Sequence, residues 1–342
     1  MKKNIRKITK IISFVLCAIL IFSFLSNICE RKTYTGAWNY MAKLNEFYSL
    51  ENDTLDYIGA GSSHMYCTIN PLEVWKESGI AGFILATQQQ PLMASYHYIK
   101  EAFKTQSPKY VILEGYMICG ESNYDSAVLY DAIDPLKASF NKFQMINNLV
   151  EYDQRPDYYF NILKYHTRWN SITANGVNEL FKEHIDTYKG YVAIKGNYSG
   201  VNVVPDYENT RKTELSQFNT QILNDIYELT TENNAELILM FGPYDVNSPE
   251  LCEKIKAEIQ WAKDKKVNII DYCEMLNEIN IDPECDYYDA EHLDVSGAAK
   301  SSSHFASYLS NKGLSKNILI DTKKWQSDFD NYAKNFSDEL KN

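Results

Sequence analysis

Residues 11–28, IISFVLCAILIFSFLSNI, contain no charged side chain. A helix rising ~1.5 Å per residue makes this run roughly 27 Å long, close to the ~30 Å hydrocarbon core of a bilayer. The preceding MKKNIRKITK is strongly basic, and basic flanks stay in the cytoplasm. A cleaved signal usually has a shorter apolar core and an A-x-A-like exit. Here the exit reads SFLSNICER, and the bulky Ile28 before Cys29 argues against lipoprotein cleavage. The sequence therefore predicts an uncleaved signal-anchor: a cytoplasmic tail and transmembrane helix over 1–30, and an extracytoplasmic domain over 31–342. No second run of comparable length occurs, so a single pass is expected.

The formal charge is −11. Residues 1–30 hold Lys2, Lys3, Arg6, Lys7 and Lys10 against Glu30. That is four positive charges net and leaves the body fifteen negative. Such a body does not suit nucleic acid, whose phosphates need a basic surface. At 45% hydrophobic and 23% charged residues the composition is that of a globular chain rather than a disordered one. Richness in Lys, Asn, Ile and Tyr points to an AT-rich bacterial genome, which makes the sequons at Asn52, Asn197 and Asn335 incidental. Seven cysteines show no C-x-x-C and no Cys/His metal spacing, so free thiols, no metal and no cofactor are expected.

Beyond a short helical stalk at 34–52, strand-like and helix-like segments alternate. Strands are expected at 54–59, 82–86, 110–114, 236–241 and 267–271, and helices at 71–77, 91–104, 214–233 and 249–264. A last helix, capped by Ser296, is expected to reach about Leu309. Such alternation predicts an α/β fold, a three-layer α/β/α sandwich with a mainly parallel sheet. Residues 121–212 break the rhythm and read as an inserted subdomain, with helical pieces and a hairpin near 189–200 turning at Gly196-Asn197. Residues 321–342 read as a polar C-terminal helix.

Two stretches carry chemistry. Asp289-x-x-His292 lies just before the last helix, and an acid three residues before a His can meet it through one turn. The carboxylate then sets the imidazole tautomer and stabilises the imidazolium. Alone the pattern is common, and an exposed loop His is usually only solvated. Gly59-Ala-Gly61-Ser62-Ser63-His64 follows the first strand, and the carboxyl ends of parallel strands are where α/β proteins place sites. The plainer alternative is a Ser helix cap after a glycine turn.

Together they are more specific. A strand–GxS–helix opening and D-x-x-H-L-x-x-x-G-A before the last helix resemble the SGNH (GDSL-like) hydrolase superfamily, whose fold is flavodoxin-like. The resemblance implies that Ser63 is the nucleophile, His292 the general base and Asp289 its orienting acid. Ser62 stands where the family has Asp. The basic-flanked anchor, G-S-S-H, T-I-N-P, Gln90-Pro91 and Pro108-Lys-Tyr-Val-Ile-Leu narrow the resemblance to an exported bacterial branch. It includes the D-alanyl transfer protein of teichoic-acid synthesis and the alginate O-acetyltransferases. This implies an acyltransferase of the bacterial, Gram-positive cell membrane. It would act beside a membrane-bound O-acyltransferase partner and move an acyl (acetyl) group onto a cell-envelope glycan or teichoic-type polymer.

The chain departs from the family at the second and third blocks, here Ala86-Thr-Gln-Gln-Gln90-Pro91 and Leu113-Glu-Gly-Tyr116. The usual Gly and Asn oxyanion donors are absent, and one missing donor costs ~2.7–4 kcal/mol of transition-state stabilisation. Ser63 N–H and the Gln90 side chain are the replacement candidates, and Tyr116 is a substrate candidate. In the insertion, Tyr165-His166-Thr-Arg168-Trp169 offers His166, Arg168 for an anion and Trp169 for stacking on a sugar. A helix end packed on the core explains the same residues. His64 and His97 read as packing residues. A carbohydrate esterase, with water as acceptor, and a catalytically silent scaffold for polymer assembly remain alternative functions.

Overall fold

The computed structural model describes residues 2–29, 38–118, 124–171, 184–196, 198, 205–246 and 248–341. Its centre is a five-stranded sheet: β1 (Tyr57–Gly61), β2 (Gly82–Ala86), β3 (Tyr110–Glu114), β4 (Glu236–Phe241) and β5 (Asn268–Asp271). The order is β2-β1-β3-β4-β5 and every pairing is parallel. This is a doubly wound α/β sheet, and its switch point lies between β1 and β3. The first three strands are buried throughout, which is why they read as apolar runs rather than alternating ones.

Helices cover both faces. Tyr57, Ile112, Ile238 and Ile270 point toward α3 (Ser63–Thr68), α4 (Pro71–Ser78) and α12 (Val295–Asn311). Ala60, Val111, Leu237 and Leu239 point toward α5 (Leu92–Ala102), α10 (Gln217–Glu232) and α11 (Pro249–Lys265). Local chemistry fixes the ends. Asn70 caps α4 by accepting from Leu72 N, Pro71 opens it, and Gly79 closes it at φ 75°. Asp294, not Ser296, caps α12: its carboxylate accepts from Ser296 N and Gly297 N. The Ser296 hydroxyl instead donates to Asp286 and Asp294.

The N-terminal helix α1 (Lys2–Cys29) is long and apolar enough over Asn4–Ser26 to cross a membrane, by length and composition. The expected stalk is not one. α2 (Tyr40–Ser49) buries Tyr40, Leu44 and Phe47 against the body, because its apolar face finds a partner there.

Between β3 and β4 the insertion holds α6 (Ser126–Ile133), α7 (Phe140–Leu149), α8 (Arg155–Tyr159), α9 (Asn161–Tyr165) and a 3-10 turn (His166–Ser171). Residues 189–196 run as an extended strap, and Asn197, Ser199 and Gly200, in the turn and return arm of the hairpin expected at 189–200, lie outside the described residues. Ile84 N donates to Lys189 O, Val192 N to Tyr66 O and Val295 N to Ile194 O. The strap thereby covers the β2 edge, which would otherwise leave backbone groups unpaired. Gly190 is required there, since a Cβ would sit 1.9 Å from Ile84 O. The fully buried Lys189 ammonium joins Glu46 of α2 to Asp328 of α13 (Thr322–Asn335). This seats the C-terminal helix. The thiols of Cys17, Cys67, Cys252, Cys273 and Cys285 are free, and Cys119 lies outside the described residues.

Candidate functional site

The turn after β1 and the turn after β3 leave the sheet side by side at the switch point. Gly61 adopts φ +155°, and a Cβ there would meet Glu114 Cβ at 2.5 Å. The chain can turn this tightly only with glycine. Ser62 then caps α3, with its Oγ accepting from His64 N and donating to Glu114 Oε2 at 2.7 Å. Glu114 also accepts Ser62 N at 3.1 Å and Tyr116 N at 2.5 Å. Burial raises its pKa above the ordinary carboxyl value, partly offset by these donors. Glu114 thus ties the two turns together and fixes where the next residue, Ser63, begins its helix.

Ser62 is committed to this structural network. Ser63 is not: its hydroxyl has no hydrogen-bond partner among the described residues. Its backbone N–H opens α3, where no preceding turn supplies a carbonyl. Ser63 lines a hollow of about 400 Å³ together with Trp38, Gln88, Tyr288, Asp289 and His292.

Asp289 and His292 come from the loop before α12. Asp289 Oδ1 accepts from Glu291 N at 2.8 Å and His292 N at 2.9 Å, closing the turn. The same carboxylate faces His292 Nδ1 at 2.9 and 3.0 Å. The other ring nitrogen, Nε2, is buried and has no hydrogen-bond partner among the described residues. A carboxylate on Nδ1 selects the tautomer that leaves Nε2 a proton acceptor. Under the His292 ring lies His64, which is buried. Burial, and next the charge at His292, hold the His64 pKa well below that of a free imidazole. Tyr116 also packs on His64, at 4.0 Å between ring centroids, and its hydroxyl reaches Glu291.

Other sequence candidates fall elsewhere. Gln90 is fully buried and turns inward, with its amide donating to Leu85 O at 3.3 Å and Ser95 Oγ at 3.0 Å. It is therefore not an oxyanion donor. Gln88, two residues earlier, is the glutamine at the hollow, because Gln89 takes a left-handed φ of 48° and rotates the loop between them. His166 is exposed, faces Leu163 O through Nδ1, and belongs to the 3-10 turn that packs on α1. Arg168 and Trp169 share that turn, and their side chains lie outside the described residues. Sequence reading missed the tie made by Glu114. Its only signal was a carboxylate at the end of a buried strand.

Fold and site together define a doubly wound α/β protein with a serine, a histidine and an aspartate gathered at its switch point. No family model and no curated protein matches the chain. Among solved structures it is similar to a protein assigned to the G-D-S-L lipolytic family from Desulfitobacterium hafniense DCB-2. Identity is 11% over 74% of this chain and 98% of that one, with a TM-score of 0.38. A likeness that loose transfers no residue roles.

Proposed function

We propose that the chain is a membrane-anchored, extracytoplasmic serine acyltransferase of the SGNH type. The observation that carries this is the buried His292 Nε2, unpartnered among the described residues, in a residue that lines one hollow with Ser63 while its Nδ1 is held by Asp289. In the proposed reaction His292 Nε2 takes the Ser63 proton and Oγ attacks an acyl carbonyl. The imidazolium, steadied by Asp289, then protonates the leaving oxygen, and an acyl-Ser63 ester remains. A sugar or polyol hydroxyl, deprotonated by the same nitrogen, takes the acyl group and frees the serine. Ser63 N–H and the Gln88 side chain, both at this hollow, would hold the developing oxyanion. Anchoring through residues 11–28 would keep Ser63 near a donor delivered across the bilayer by a membrane-bound O-acyltransferase.

The hollow also favours a second reading, hydrolysis by water, because the Asp289 side chain is 43% exposed. Labelling with a fluorophosphonate tests the chemistry. An adduct on Ser63 is expected in the native chain and none after Ser63→Ala or His292→Ala. Labelling that survives both changes would end the serine mechanism. Acyl release with and without a glycan acceptor then separates transfer from hydrolysis.

A further inference from the structure

The hollow at Ser63 is the last of three that share walls. The outermost, about 500 Å³, is bounded by Phe22, Ser23 and Ser26 in the last turns of α1 and by Phe143 and Phe160 of the insertion. The next, also about 500 Å³, shares Met41, Asp134 and Pro135 with it. That one shares Trp38 with the Ser63 hollow.

The outer mouth sits at the end of α1, which is long and apolar enough to cross a membrane. Ile162 N donates to Ser26 Oγ at 2.9 Å, and the Phe22 and Phe160 rings meet edge to face at 5.4 Å. Around that mouth Phe140, Phe143, Phe160 and Leu163 are 72%, 49%, 47% and 44% exposed. Exposed apolar clusters of this kind mark interaction sites, and Phe and Leu are residues that interfacial segments bury at the headgroup/acyl boundary of a bilayer. Farther in, Met41, Tyr130, Pro135 and Tyr165 make the walls mostly aromatic and aliphatic.

We propose that these hollows form one groove, which lays the hydrocarbon arm of a membrane-borne ester along the insertion and presents its carbonyl to Ser63. The proposal rests on the Ser63 reading and names its substrate class: an ester of a small acyl group with a long-chain alcohol held in the outer leaflet. Ser63 Oγ forms the new ester bond, the bond to the alcohol oxygen breaks, and that oxygen leaves with the proton from His292. The exposed aromatic cluster rests on the bilayer beside α1 and keeps the mouth at lipid level.

The full chain in phospholipid vesicles is given two acetyl esters, hexadecyl acetate in the bilayer and ethyl acetate in solution, and acetate release is followed. Ala127→Trp and Ala138→Trp place an indole in the middle and outer hollows. Each is expected to lower turnover of hexadecyl acetate by about tenfold or more and to leave ethyl acetate within about twofold. Equal loss on both esters, or none on either, overturns the groove. A second arm needs no catalysis. Vesicles carrying a lipid with a benzophenone-tipped chain are irradiated with the Ser63→Ala chain. Adducts are expected at Met41 or Tyr165 and should vanish with Ala127→Trp, while adducts confined to α1 overturn the groove. Cross-linking there in a chain that turns over neither ester would sink only the catalytic reading.

Discussion

The imidazoles of His64 and His292 lie face to face, with ring centroids 4.9 Å apart and planes 17° from parallel. Two protonated rings at that spacing would repel by about 3 kcal/mol at an effective dielectric of about 20. The pair avoids this by asymmetry. His64 is buried, with Nδ1 on Ser62 Oγ at 3.2 Å, and its lowered pKa keeps it neutral. His292 has a carboxylate beside it. In the proposed reaction the positive charge therefore forms on His292, and His64 serves as a flat uncharged floor.

Asp289→Asn follows from this division. The amide would donate to Nδ1 and turn the Nε2 proton toward Ser63, the wrong tautomer for a base. Acyl release is expected to fall on the order of 10²–10⁴-fold. The melting temperature should hold, since the side chain is 43% exposed and Asn can still accept from the turn amides. Steady-state kinetics with thermal melting check both, and an active Asn variant would remove Asp289 from the mechanism.

His97 should make the fold acid-sensitive. Its Nδ1 faces Asn141 Oδ1 at 2.7 Å and its Nε2 faces Asn148 Nδ2 at 3.1 Å, arrangements that suit the neutral ring. Burial lowers its pKa to about 4, against a partial lift from Asn141. The unfolded chain, near 6.5, binds the proton first, so stability is lost as pH falls from about 6.5 to about 4, by up to ~3 kcal/mol. Urea unfolding at neutral and acid pH should show this loss shrinking in His97→Gln. An unchanged loss would assign it to other groups.

Lys189→Met should destabilise far more than a surface change. It strands the buried Glu46 carboxylate and leaves Asp328, on a different helix, with Lys324 as its ion-pair partner. Removing one partner of a buried ion pair typically costs ~3–5 kcal/mol. Chemical denaturation measures it, and proteolysis should show the C-terminal helix released first. A loss below about 1 kcal/mol would mean the triad does little for stability.

Much of this architecture is visible in the order of residues. The apolar strands, the Pro and Asn start signals and the helix spacings act within a few residues of each other, so β1 to β5 and α4, α5, α10 and α11 lie within a few residues of where the sequence places them. The Asp289–His292 pair is equally local, closed by one turn. Three consecutive glutamines are not legible in that way. Which one reaches the hollow depends on a left-handed residue between Gln88 and Gln90, and nothing in a run of identical side chains reveals it.

By itself the sequence determined the parallel α/β alternation, an apolar N-terminal helix and two short motifs, because periodicity, capping and turn chemistry operate over neighbouring residues. Only the tertiary structure decided that Ser63 and His292 share one hollow, that Glu114 binds the turns of β1 and β3, that α2 packs rather than projects, and that the strap through Lys189 covers the sheet edge. Those relations join residues from about 50 to over 200 positions apart. They exist only once burial of the apolar strands has fixed which loops meet at the switch point.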